Sequence, residues 1–295
     1  MFSMGAFRVS AIWQDHARKF APLKFVVFLL VLWPAVWLGL RWLNHDLGGR
    51  PITELIHGFG DWAVRFAVIA LAVSAARPVL DWPRALLLRR MLGVTASCYA
   101  AAHFTLYCVD QKWNLLRIAS EIIHRFYLTI GFAALLGLLV LAITSTDGWQ
   151  RRLAGNWKRL HKLVFPVAVL ALFHYFLQSK ADVTDAVLLF GFFAWLVLWR
   201  QAPRRWQGRL ALLPILAVAA ALLTAAVEAA WYGLATGVRA ERVLLANLDV
   251  AFGPRPAVEI LIWGFLLFAV AAVRRWVKRW SNRRRKTPPA SAARA

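Results

Sequence analysis

The chain has 295 residues, 61% of them hydrophobic, with 16 Trp and 19 Phe. That apolar share, above the roughly 45–50% usual in a soluble domain, argues against one, and two cysteines are too few for a disulfide scaffold. The formal charge of +22 lies between apolar runs and not on one folded patch, which points to loops beside a lipid bilayer and away from nucleic acid.

Eight apolar runs follow in order, at residues 25–43, 62–79, 91–108, 126–144, 163–177, 186–199, 210–232 and 257–273. The first lacks a small-residue cleavage site and continues into Arg41, Trp42 and Asn44, so it reads as a retained anchor and not as a signal peptide. Several are shorter than the about 20 residues of a full span, the fifth and sixth most clearly. A helix is the open-ended element that satisfies its own backbone in lipid, so the expected fold is an all-α integral membrane protein. With the N-terminus in the cytoplasm, 26 of the 36 Lys and Arg fall on the inner side, 9 on the outer side and Arg65 inside the second run. That asymmetry predicts eight spans with both termini cytoplasmic. The expected divisions are a cytoplasmic segment at 1–24, a six-helix region at 25–200, two further spans with an outer loop at 201–273, and a basic tail at 274–295. The start of the tail is expected on anionic lipid and its last ten residues disordered. The loop at 233–256 is expected to carry a short helix near 238–248. Neither a glycine-rich dinucleotide motif nor a phosphate-binding loop motif occurs.

Within this frame the histidines carry the chemical interest. His161 stands at the basic inner mouth of the fifth run and His174 near its outer end, thirteen steps or about 20 Å apart along the axis. Ionisable groups inside spanning segments are functional candidates by default. Two imidazoles at different depths suit two stacked metal centres, while the plainer alternative is that each makes an interhelical hydrogen bond. His103, on the parallel third run, lies at the depth of His174, and such a pair facing across a bundle is the usual axial arrangement for b-type haem. No second histidine stands at the level of His161. Arg89, fourteen residues before His103 and within about 40° of the same helix face, occupies that place, and its guanidinium suits a propionate better than iron. His57 sits at the outer mouth of the second run, His124 reads as an interfacial side chain, and His16 and His45 read as solvated. Glu228 in the seventh run reads as reaching water, and Cys98 as helix-packing surface.

Several of these residues fall in longer motifs: Ile56-His57-Gly58-Phe59-Gly60-Asp61-Trp62-Ala63, Arg89-Arg90-Met91-Leu92-Gly93 followed by His103, and Tyr127-Leu128-Thr129-Ile130-Gly131. Further on come Thr144-Ser145-Thr146, Trp157-Lys158-Arg159-Leu160-His161-Lys162-Leu163-Val164 and His174-Tyr175. On these motifs the chain resembles the haem-binding membrane subunits of the bacterial periplasmic methionine sulfoxide reductase system (the MsrQ or YedZ type), within the ferric-reductase-like transmembrane superfamily. The resemblance covers residues 51–199. It implies a six-helix core with b-type haem, one or two per chain, on His103, His161 and His174, with Arg89 at the matching arginine and His57 in the family pattern. It also implies residence in the bacterial inner membrane and electrons arriving from a cytoplasmic flavin reductase or quinone. These would leave to a periplasmic molybdenum-containing subunit that reduces methionine sulfoxide. Bound FMN is a further implied cofactor, with no motif here to place it. The chain departs from the family at Phe126 and at Ser74-Ala75, where proline and Thr-Pro are usual, and in its two spans after residue 209. A ferric-reductase-like protein with another acceptor is the nearest alternative. A transporter or structural bundle is the alternative from outside redox chemistry.

Overall fold

The computed structural model describes residues 20–286 apart from 181, 250 and 252, with backbone only for 282–286. Most of the segment expected at 1–24, His16 within it, and the tail end expected to be disordered lie outside the described residues. Every apolar run forms a helix. In chain order the elements are α1 (Pro22–Leu43), α2 (Pro51–Leu80), α3 (Arg89–Asp110), α4 (Leu115–His124), α5 (Phe126–Ile143), α6 (Asp147–Leu153) and α7 (Gly155–Leu160). They continue as α8 (Val164–Ser179), α9 (Thr184–Gln201), α10 (Arg204–Gln207), α11 (Leu212–Thr236), α12 (Ala240–Ala246) and α13 (Pro256–Lys286). Two 3₁₀ turns, Pro83–Leu88 and His161–Leu163, lead into α3 and α8. No β-strand occurs among the described residues, and the chain is an all-α, multi-pass membrane protein. Seven helices are long and apolar enough to cross a bilayer; α9, with 18 residues and with Asp185 and Arg200 near its ends, falls outside that set.

The chain forms two compact units. The first comprises residues up to Ser74 together with Arg84–Gln178. Its core joins α1, α2 and α3 through Val31, Ala63, Phe66, Ala67, Leu92, Ala96 and Tyr99. Tyr99 has a particular task there. Pro34 disturbs the ladder of α1, and the Tyr99 hydroxyl enters the gap, donating to Val31 O at 2.6 Å and accepting from Ala35 N–H at 3.0 Å. Ser97 ties α3 to α5, donating to Leu138 O at 3.0 Å. The α8 segment is not one regular helix. Pro166 has no N–H and its ring opposes the carbonyl four residues back, so the chain takes the 3₁₀ turn His161–Leu163 and Pro166 falls in the first turn of α8, where proline is tolerated. The departure from an ideal helix thus lies before Pro166, between the two histidines of this segment.

The second unit comprises Ala75–Pro83 and residues from Ser179 onward. In it α9 packs against α11 and α13, so the boundary expected at 200 and 201 falls inside a unit. The reason is a small-residue seam: Ala217, Ala220 and Ala221 of α11 receive Trp195, and Gly264 of α13 lies so close that a Cβ there would stand 2.2 Å from Ala217 Cβ. The helix expected near 238–248 is α12. Helix α13 runs without a break to Lys286, past the expected end of the eighth span. Arg275 donates to Gly208 O at 2.7 Å and to Val79 O at 3.3 Å, and Lys278 pairs with Asp81, whose carboxyl is held below the usual range by that ammonium.

Glu228 corrects the sequence reading. It is fully buried and does not reach water; one carboxylate oxygen accepts from Arg255 Nη2 at 2.5 Å and the other from Asn247 Nδ2 at 2.9 Å. Cys98 is exposed and Cys108 buried, both as free thiols.

Candidate functional site

His103 and His174 are held by two copies of one local device. On α2, the carbonyl of Ile56 lies 2.7 Å from His103 Nδ1, and one turn later Gly60 leaves the space the ring occupies. A Cβ on Gly60 would stand 2.9 Å from His103 Nδ1. On α5, the carbonyl of Tyr127 lies 2.8 Å from His174 Nδ1, and one turn later Gly131 leaves the space for that ring. There a Cβ would stand 2.6 Å from both Nδ1 and Cε1. Each helix therefore offers a carbonyl at one position and a glycine four residues on. The two cradles are offset by 71 residues at every point: 56 and 127, 60 and 131, 103 and 174.

A carbonyl accepts and does not donate, so each Nδ1 carries its hydrogen and each Nε2 keeps its lone pair. That is the tautomer of a metal-binding imidazole, with the outer nitrogen anchored as such ligands usually are. The ring centroids are 6.3 Å apart and the planes meet at 81°. An imidazole nitrogen binds a transition metal at about 2.0–2.1 Å with its ring centre about 1.2 Å behind, so two rings on opposite sides of one ion have centres about 6.4 Å apart. The observed separation matches. The site fits one iron held by two neutral histidines, and the glycine notches let the rings stand that close to the flanking backbones. Among the described residues no three His, Cys, Asp or Glu side chains form a metal cluster, a set that two-imidazole ligation does not need.

His161 is placed otherwise. Its ring stacks on Trp157 of the same segment at 3.9 Å, and Nδ1 lies 3.2 Å from Trp157 O. Its Nε2 lies 3.3 Å from Ser145 Oγ, just beyond the C-terminus of α5. Trp157 is itself anchored, donating from Nε1 to Thr144 O at 2.9 Å. Both imidazole nitrogens thus have protein partners, and among the described residues no second histidine faces this ring. Arg89 is exposed at the start of α3, near enough for its charge to act on His161, while its neighbour Arg90 is paired with Asp147 of α6. His57 is exposed on α2 beside Ile56, outside the 6.3 Å pair. His124 is exposed and hydrogen-bonded to Ser120 O at 2.7 Å, as an interfacial side chain would be. Of the five expected residues, the structure brings His103 and His174 together, sets His161 with Arg89 at a separate level, and leaves His57 at the edge. The supporting groups that residue-by-residue reading missed are Ile56 O, Tyr127 O, Gly60, Gly131, Ser145 and Trp157; the constant offset of 71 was the signal available for the cradles.

The chain is similar to known proteins over much of its length. A family model described as "Ferric reductase like transmembrane component" matches residues 55–172, a stretch that contains His103 and His161 and stops two residues before His174. A Rhodospirillum rubrum protein named "Protein-methionine-sulfoxide reductase heme-binding subunit MsrQ" is 40% identical over 191 residues, covering 63% of this chain and 92% of its own length. Proteins of the same name from Xanthomonas euvesicatoria pv. vesicatoria and Xanthomonas oryzae pv. oryzae are 40% and 42% identical over 186 residues, covering 63% of this chain and 83% of theirs. No solved structure matches the chain.

Proposed function

The chain belongs to the MsrQ family of ferric-reductase-like membrane subunits, and from that membership we propose that it is an electron carrier in which His103 and His174 hold one b-type haem. The observation that carries the reading is the pair of cradles, which sets two neutral imidazoles 6.3 Å apart with their outer nitrogens tied to backbone carbonyls. Haem bound there supplies one-electron transfer. The chain's own residues do the rest. Ile56 O and Tyr127 O fix the tautomer and increase the basicity of each ligand, Gly60 and Gly131 set the ring positions, and the apolar faces of α3 and α8 keep water from the pair.

The sidedness of the site follows from the Lys and Arg asymmetry, and the direction of transfer from the family. With eight spans in a bacterial inner membrane and both termini cytoplasmic, His103 and His174 lie toward the periplasm and His161 toward the cytoplasm. The donor is a cytoplasmic flavin reductase or quinone. The acceptor is a periplasmic molybdenum-containing methionine sulfoxide reductase subunit, so the chain supports repair of oxidised periplasmic proteins. His57, exposed beside the outer pair, is placed to meet a propionate or the acceptor. No residue is assigned to FMN.

The inner level is a weaker site. His161 takes a ligand on Nε2 only by giving up Ser145, and Arg89 offers a guanidinium that suits a propionate. The expected result is haem between one and two per polypeptide in purified protein. His161→Ala then removes the fraction above one and leaves the reduced visible spectrum of the outer pair unchanged. Unchanged haem content in His161→Ala reduces the chain to a one-haem carrier, and a colourless wild-type protein removes the electron-carrier reading altogether.

A further inference from the structure

The connection between α3 and α5 holds a helix that the rest of the fold does not fully cover. After Asp110 the chain turns through two successive left-handed residues, Lys112 (φ 51°) and Trp113 (φ 56°), and Asn114 then caps α4 by accepting from Arg117 N–H at 3.0 Å. Around α4, at 100° per residue, the side chains sort into three arcs. Ile118 and Ile122 turn toward α5, with Ile118 buried. Next to them, Leu115, Leu116, Ala119 and Ile123 fall within an arc of about 100° that holds no charge and that none of the described residues covers. Leu115 is 68% exposed, Leu116 86% and Ile123 72%. Arg117, Ser120 and His124 occupy the far side, with Glu121 turned to Tyr107 and Arg125.

We propose that α4 is an interfacial helix: it lies in the plane of the membrane surface on the side of His103 and His174, with Leu115, Leu116, Ala119 and Ile123 among the lipid chains and Arg117, Ser120 and His124 toward water. A strongly amphipathic helix with one charge-free apolar face and a polar face opposite has the form of an element that lies in a bilayer interface. Continuity decides for lipid over a soluble protein. The exposed stripe joins exposed apolar residues at the ends of flanking spans, Val109 of α3 and Phe126 of α5, and Phe126 meets exposed Phe173 of α8 at 6.4 Å. Those faces belong to membrane helices and meet acyl chains. Trp113, exposed at the start of the stripe, is the residue type of the headgroup belt.

The seat has a structural consequence. Thr129 Oγ1 of α5 donates to Ile122 O of α4 at 2.5 Å, and Arg125 bridges to Glu121 at 3.4 Å. Tyr127, between those two anchors, supplies the carbonyl that holds His174. Seating α4 at the surface therefore fixes the depth of the His103–His174 level beneath it, and with it the distance to any acceptor outside.

The test uses the full chain in vesicles of phosphatidylcholine and phosphatidylglycerol. Cys98→Ser removes the exposed thiol and leaves the buried Cys108. Leu116→Cys, Ile123→Cys and Ser120→Cys are each labelled with bimane and quenched either by doxyl-labelled phosphatidylcholine or by aqueous iodide. The proposal expects the label at 116 and 123 to lose most of its emission to the lipid quencher and little to iodide, with the reverse at 120. Leu115→Cys repeats the reading should either apolar variant fail to insert. Iodide quenching at 115, 116 and 123 equal to that at 120 overturns the proposal and leaves the stripe as a water-facing surface open to a protein partner.

Discussion

Gly131→Val is expected to strip the haem that we propose His103 and His174 hold. A single Cβ at this position would stand 2.6 Å from two atoms of the His174 ring, and valine adds two more carbons. The ring has no cheap retreat, because Nδ1 is tied to Tyr127 O at 2.8 Å on the same helix. Overpacking of this kind costs about 1–3 kcal/mol where neighbours yield, and here the neighbour that must yield is His174. Gly60→Val acts in the same direction on His103. Its alanine variant is milder than Gly131→Ala, since a Cβ at 60 would lie 2.9 Å from the nearest ring atom. Haem per polypeptide and the reduced-minus-oxidised visible spectrum of purified variants read the effect. Full haem content with an unaltered spectrum in Gly131→Val would show that His174 does not use this notch when ligated.

Glu228→Ala is expected to destabilise the second unit strongly. The carboxylate is fully buried, with one oxygen receiving Arg255 and the other Asn247. Removing it leaves the part-buried Arg255 guanidinium without this partner and Asn247 Nδ2 with Val243 O alone, at 3.0 Å. Breaking a fully buried pair from one side costs about 3–5 kcal/mol, and the exposure of Arg255 lowers that figure here. Replacing both partners by apolar residues restores much of that loss, because the desolvation penalty of the pair goes with it. The thermal midpoint in detergent should therefore fall sharply for Glu228→Ala and recover in Glu228→Leu combined with Arg255→Leu. Equal midpoints for wild type and Glu228→Ala would mean the pair contributes nothing to holding α11 to the segment between α12 and α13.

The spans were legible because lipid imposes one rule on backbone and side chains alike: apolar runs became helices, most within a few residues of the expected ends, although α2 begins well before its run at Pro51 and α13 continues well past its run to Lys286. Legibility failed where structure depends on pairs distant in the chain. Glu228 looked solvated because its partner Arg255 lies 27 residues away beyond α12, with no periodicity linking the two. Helix α4 was missed because ten residues of mixed character in a loop resemble neither a span nor a linker. The shared depth of His103 and His174 followed from counting residues along parallel helices. Their carbonyl anchors could not be read as residue types, since any residue has a carbonyl, whereas Gly60 and Gly131 stood in plain sight within quoted motifs. His161 shows the opposite limit. Its thirteen-residue spacing from His174 was visible, but the 3₁₀ turn and the contacts with Trp157 and Ser145 that set its ring apart were not.

The central claim is that His103 and His174 are the two axial ligands of one haem. Electron paramagnetic resonance of the ferric protein tests it most directly, because axial imidazole planes near perpendicular give a strongly anisotropic low-spin signal and the two rings meet at 81°. The account predicts that signal in the wild type, and its loss in both His103→Ala and His174→Ala, with the two variants keeping the same remaining spectrum and the same residual haem. Survival of the strongly anisotropic signal in either variant, or two variants that each lose a different haem, contradicts the pairing.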